Sequence, residues 1–296
     1  MLKRISLFVL TNLLVVTTII VITSLLGVNR FIYENGIYIS ELLIFSLVVG
    51  FTGSLFSLWI SRWMAIQLMG VYIIHPQQPR NNVEQMLVEK VHGLAKKAGL
   101  PVMPKVGIYD SPEVNAFATG PSKRRSLVAV STGLLQHMDE QAIEGVLAHE
   151  IAHIANGDMV TMTLLQGIIN TFVEFLSRVI SFIISKFVRE ELAHIVYLIS
   201  YFVFSMVFSL LGILVVFAFS RKREYAADKG GAKLAGKEKM IHALRQLQSS
   251  LGWIDNSHAA VSTLKINNQQ KHSLFSTLFS THPSLEERIE YLQTLK

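Results

Sequence analysis

Residues 195–219 run for 25 positions without a charged side chain, and residues 5–27 do the same for 23. As a helix the shorter run would reach about 34 Å, enough to cross the hydrocarbon of a bilayer. Two further apolar runs, 42–60 and 159–184, alternate with polar stretches. Inside a bilayer every backbone polar group must be satisfied within the segment, so such runs can only be helices. The chain is therefore expected to be a multi-pass membrane protein with about four hydrophobic transmembrane helices. The third and fourth runs could instead form a hydrophobic hairpin resting on the rest of the protein, and the third carries Glu174 and Arg178. Four residues apart on one helical face, these two should pair and face protein rather than lipid.

Composition agrees with this reading, since 51% of the 296 residues are hydrophobic and only 16% charged. The first run is longer than a signal-peptide core and a second run follows it, so it should be retained. Lys3 and Arg4 precede it, nine Lys or Arg lie between Ser61 and Asp158, and the first loop holds only Arg30. By the positive-inside rule the N-terminus and the segment after residue 60 should be cytoplasmic. The net charge of +6 is spread along membrane-flanking and helical segments, which argues against nucleic-acid binding. There is no cysteine, so disulfides and thiolate metal sites are excluded and a metal would need His, Asp or Glu.

Such donors stand in His149-Glu150-Ile151-Ala152-His153. On a helix the two histidines sit one turn apart on one face and can present two ring nitrogens to one ion, zinc suiting such donors best. Glu150 would stand beside the open coordination position as a general base. The segment after residue 153 offers no third ligand of the H-E-x-x-H-x-x-G-x-x-H kind, because Asn156 and Met159 occupy the positions that pattern needs. The better candidate is Glu224, with Asp228 one turn further along to hydrogen-bond the far nitrogen of a ligand histidine. The alternative for that pair is a solvated acidic couple answering the basic cluster Arg221-Lys222-Arg223.

Around these residues the pattern predicts an amphipathic helix from Asn81 to about Ala98, with Val83, Leu87, Val91 and Leu94 on its apolar face. Extended runs at 105–109, 114–120 and 126–130 predict a small antiparallel sheet. Its edge could accept an extended peptide by strand addition, or the three strands could simply be core. Helices are expected at 221–234, 237–251 and 284–295, with a long polar loop at 255–271. Residues 1–60 and 159–219 are thus read as two membrane hairpins. Residues 61–158 and 220–296 are read as two parts of one domain that carries the metal-ligand candidates.

The run from His149 to Met159, Glu224 with Asp228, the segment from Asn115 to Gly120, and Thr281-His282-Pro283-Ser284 with Glu287-Arg288-Ile289 together resemble the HtpX family of membrane-bound zinc proteases, relatives of the CAAX prenyl proteases. The resemblance covers nearly the whole chain. It implies a mostly helical α+β protease domain of the gluzincin type, a zinc endopeptidase holding one zinc ion per subunit through His149, His153 and Glu224. Glu150 would be the catalytic base and Asp228 the partner of a ligand histidine. Asn115, Ala116 and Phe117 would lie on a substrate-binding strand, and His282 would help stabilise the tetrahedral intermediate or, alternatively, serve the start of the last helix. The remaining histidines match no motif and are expected at the surface or in packing. The resemblance further implies a multi-pass protein of the bacterial inner membrane, in contact with lipid, that cleaves misfolded or damaged membrane proteins on the cytoplasmic side under stress. It implies no oligomeric state. Two other readings stay open at this point: a prenyl-CAAX-type protease, and a non-catalytic membrane scaffold.

Overall fold

The structure, a computed structural model, describes residues 39–257 and 282–295. The first apolar run with Lys3, Arg4 and Arg30, and residues 258–271 of the expected polar loop, lie outside the described residues. The chain divides into two compact units, one within Met1–Leu58 and Thr161–Val216, the other comprising Trp59–Val160 and Phe217–Lys296.

Helix α1 (Ile39–Met69) extends the apolar run at 42–60 by three further turns. Nothing from Ser61 to Met69 breaks a helix, and α1 stops only at Gly70, which adopts a positive φ of 65°. A two-residue strand β1 (Tyr72–Ile73) follows, too short to show any periodicity in the sequence. Helix α2 (Asn82–Lys97) begins where Asn81 accepts the Glu84 backbone N–H and Glu84 accepts the Arg80 N–H. That reciprocal cap buries Glu84 and leaves Val83 exposed, while Leu87, Val91 and Leu94 fill the core as expected.

Strands β2 (Lys105–Tyr109), β3 (Ala116–Thr119) and β4 (Leu127–Ser131) complete a four-stranded sheet in the order β1-β2-β4-β3. The sheet is mixed rather than antiparallel: β2 and β4 are parallel, with Val106 opposite Val128, while β1–β2 and β3–β4 are antiparallel. The reason lies in β4, which is buried along its whole length. Val128 and Val130 join one core with Leu87, Leu147 and Ile151, whereas Leu127 and Ala129 join a second with Val71 and Tyr109. A strand covered on both faces belongs at the centre of its sheet, so β3 folds back on its outer side and becomes the edge.

Ser131 caps α3 (Thr132–His137) and Asp139 caps α4 (Glu140–Asn156). Gly157, at φ 76°, ends α4 in the left-handed region and lets α5 (Asp158–Ser185) start at the next residue. Helix α6 (Glu190–Ala235) then runs unbroken for 46 residues, about 69 Å. The separate helix expected at 221–234 is its continuation, since no proline interrupts it before Gly236. Helix α7 (Lys237–Ser257) continues past residue 251 into the expected loop, and α8 (Leu285–Thr294) opens on a capping box of Ser284 and Glu287.

Among the described residues three helices, α1, α5 and α6, are long and apolar enough to cross a membrane. Within the first unit Glu174 and Arg178 do pair. Tyr201 donates to the second oxygen of Glu174 at 2.6 Å, and the guanidinium lies over the rings of Phe45 and Tyr201. Three helices thus enclose the charges that lipid would penalise.

Candidate metal centre

The site is built where α4 and α6 touch. Gly231 of α6 lies so close to α4 that an added Cβ would stand 3.1 Å from the His149 backbone nitrogen, and one on Gly230 would stand 2.7 Å from the Ala152 Cβ. This approach brings Asp228 and Glu224, the preceding turns of α6, onto the face of α4 that carries His149 and His153. Donor atoms of His149, His153 and Glu224 all lie within 4.8 Å of one another. The two Nε2 atoms are 3.0 Å apart, and the Glu224 oxygens are 3.5 Å from His149 Nε2 and 3.3 Å from His153 Nε2. Ligands about 2.0–2.1 Å from a tetrahedral ion stand about 3.3 Å from each other, so the three fit one metal. Glu224 Oε2 is also shut off from solvent with no donor aligned to it among the described residues, although Nδ1 of His282 is 2.8 Å away.

Both imidazoles are held from behind. Asp228 Oδ1 lies 2.9 Å from His149 Nδ1, which Arg288 Nη2 also approaches at 3.3 Å, and Asp158 lies 2.5 Å from His153 Nδ1. These bonds fix the tautomers that leave Nε2 pointing inward. Burial works to lower the pKa of His153, but the Asp158 and Glu224 carboxylates outweigh it and push it up to about 9. His149 is raised too, burial again opposing Asp228 and Glu224.

The sign for the metal-free protein follows from these shifts. A histidine whose pKa rises from 6.5 to about 9 on folding stabilises the fold fully below pH 6.5 and loses that contribution as pH rises through 9. We expect the stability of chelator-stripped protein to fall between pH 6.5 and 9, by up to about 3 kcal/mol from His153, and its thermal midpoint with it. Loaded protein, whose ligands bind as neutral imidazoles, should show no such fall. A differential scanning series across that range checks it.

Two members of the site carried no role in the sequence reading. Arg288 of α8 is buried and grips Asp228 with Nε to Oδ2 at 2.8 Å and Nη2 to Oδ1 at 2.6 Å. Its Nη1 reaches to 3.5 Å from Glu224. Asp158 pairs with Arg223 at 3.1 Å as well as with His153. The paired glycines 230 and 231 inside a helix were the available signal for the close crossing. Arg288 stood within Glu287-Arg288-Ile289, but nothing there marked it as buried, because charge alone suggests a solvated helix.

Glu150, next to His149 on α4, is half-buried and close enough for its charge to act on His153 and Arg288. Asn115 precedes β3 and exchanges backbone and side-chain bonds with Ser131. Ala116 and Ala118 face the core that contains α4, while Phe117 points the other way and packs 5.5 Å from the Tyr109 ring. The start of α8 is capped by Ser284, not His282, whose ring lies at Glu224. Among the other histidines, His92, His137 and His242 bond Pro104 O, Gly133 O and Asp139.

Residues 81–296 match Peptidase family M48. The chain is 61% identical over 299 residues to the Protease HtpX homolog of Bacillus velezensis and 60% identical over 300 residues to that of Bacillus subtilis, covering 99% of both chains in each case. The homolog of Methylacidiphilum infernorum is 48% identical, with 100% of this chain and 99% of the relative covered. The crystal structure of S. mikatae Ste24p shares the fold with a TM-score of 0.61 at 19% identity, over 99% of this chain and 66% of that one. By sequence along its whole length and by fold, the chain belongs to peptidase family M48 and is a membrane metalloprotease.

Proposed function

We propose that the chain is a zinc-dependent endopeptidase that hydrolyses peptide bonds of misfolded or damaged membrane proteins at the cytoplasmic face of the bacterial inner membrane. The convergence of His149, His153 and Glu224 carries this reading, with carboxylates behind both imidazoles. A zinc ion held by these three would supply Lewis acidity, polarising a scissile carbonyl and acidifying a water. Glu150 accepts the proton of the attacking water and returns it to the leaving amine. The outer edge of β3 carries no strand among the described residues, so the backbone of residues 115–119 can hold an extended peptide beside α4. In this reading His282, exposed and 2.8 Å from Glu224, donates to the developing oxyanion. Residues 61–158 and 220–296 form the protease portion in this reading. The runs at 1–60 and 159–219 are its membrane anchors, oriented by the basic flanks.

Metal analysis of protein purified without chelator should give one zinc per chain. Chelation should stop, and zinc restore, internal cleavage of an unfolded membrane protein. Protein without bound zinc would point to a scaffold, and release of only a C-terminal tripeptide from a prenylated peptide to a CAAX-type activity.

A further inference from the structure

Two basic runs nearly a hundred residues apart meet at the junction of α4 and α5. Lys123, in the turn between β3 and β4, donates its ammonium to the Ala155 carbonyl in the last turn of α4, and its Cε lies 3.4 Å from where a Gly157 Cβ would stand. Arg223 of α6 reaches the same junction through Asp158. Lys123 and Arg223 therefore hold the junction, and Arg124, Arg125 and Lys222 are their immediate neighbours in the chain. Arg124, Arg125 and Lys222 are exposed, and neither 121–125 nor 220–223 contains an acidic residue. Glu224, the next along, is turned inward and only 4% exposed.

The place matters because the chain turns apolar on leaving it. Helix α5 is uncharged from Met159 to Val173, and the uncharged run of α6 ends at Phe219. A headgroup layer falls where such spans end. The uncharged run of α1 likewise ends in tryptophans, Trp59 and Trp63, one turn apart and 63% and 49% exposed. Exposed tryptophans at the end of a span belong to the interface between lipid and water.

We propose that Arg124, Arg125 and Lys222, positioned by Lys123 and Arg223, form a binding site for the phosphate headgroup of anionic phospholipids. Each such cation adds roughly fivefold to the preference for an anionic lipid over a neutral one. The site is joined to the metal centre by contact, since Arg223 holds Asp158 and Asp158 holds His153. The test reads lipid rather than cleavage, so its failure and that of the peptidase reading are distinguishable.

The full chain is reconstituted in phosphatidylcholine bilayers containing a minor fraction of phosphatidylglycerol, and the lipid retained on gentle extraction is quantified. We expect phosphatidylglycerol to be enriched over its bulk share, and the enrichment to fall by at least about tenfold in R124Q/R125Q/K222Q. The charge-retaining R124K/R125K should keep it, and raised salt should weaken it. Inorganic phosphate added to pure phosphatidylcholine bilayers should not raise the thermal midpoint, whereas phosphatidylglycerol should. Equal enrichment in the parent and the glutamine variant overturns the proposal. So does stabilisation by a glutamate-rich peptide in phosphatidylcholine with no effect of phosphatidylglycerol, which would assign the surface to an acidic polypeptide.

Discussion

Glu150→Gln should lower peptide cleavage by about a hundredfold to ten-thousandfold while metal content stays at the parent's level. The substitution keeps the length and shape of the side chain and removes only its ability to take a proton. Glu150 is not among the three groups whose donors converge, so the metal should be retained. Its charge contributes to holding His153 protonated in metal-free protein, so the variant's apo form should be slightly less stabilised at low pH. In the proposed reading the substrate lies along β3 and its binding should be untouched, which places the loss in kcat with KM close to the parent's. Activity within a few-fold of the parent at full metal occupancy would remove Glu150 as the base. Loss of metal together with activity would make it a structural member of the site.

How far residues 149–153 could be read without coordinates depended on how local the pattern was. The His149/His153 pair needs only the helical repeat, and the helix that carries it is capped at Asp139. Glu224 and Asp228 lie some 70 residues further on, beyond two apolar runs, yet they share a helical face and one glutamate was needed to complete the ligand set. The sheet was harder. Three of its four strands were visible as short apolar runs, but pairing depends on which strand is covered on both faces, and β4 shows this only once α4 and the end of α1 are packed against opposite sides. Phe117 illustrates the same limit. The alternation of side chains along β3 was legible, but not which face met Tyr109 and which met the metal helix. Arg288 stood out as part of Glu287-Arg288-Ile289 but its burial did not, because a cation is buried where carboxylates balance it, and those lie far away in the chain.

Arg288→Ala is expected to be the most damaging substitution outside the ligand set. Asp228 is completely buried, and its charge is balanced by the two parallel bonds from Arg288 and by His149. Taking away one partner of a buried pair leaves an uncompensated charge, which typically costs about 3–5 kcal/mol. The consequence should reach the metal, because a carboxylate that is no longer held also ceases to hold the ring of His149. Loss of such an orienting contact weakens metal affinity by about 10–100-fold. Arg288→Lys restores the charge without the planar fork, so it should recover much of the stability but little of the affinity. The measurements are a thermal or denaturant midpoint and a metal competition titration on each variant. A second arm removes the charge that needs balancing: Asp228→Asn in the Arg288→Ala background should recover part of the lost stability while leaving affinity low. If Arg288→Ala lowers the midpoint and leaves metal affinity at the parent's value, the arginine only anchors α8 and the chain of contact from α8 through Asp228 to His149 does not tune the site.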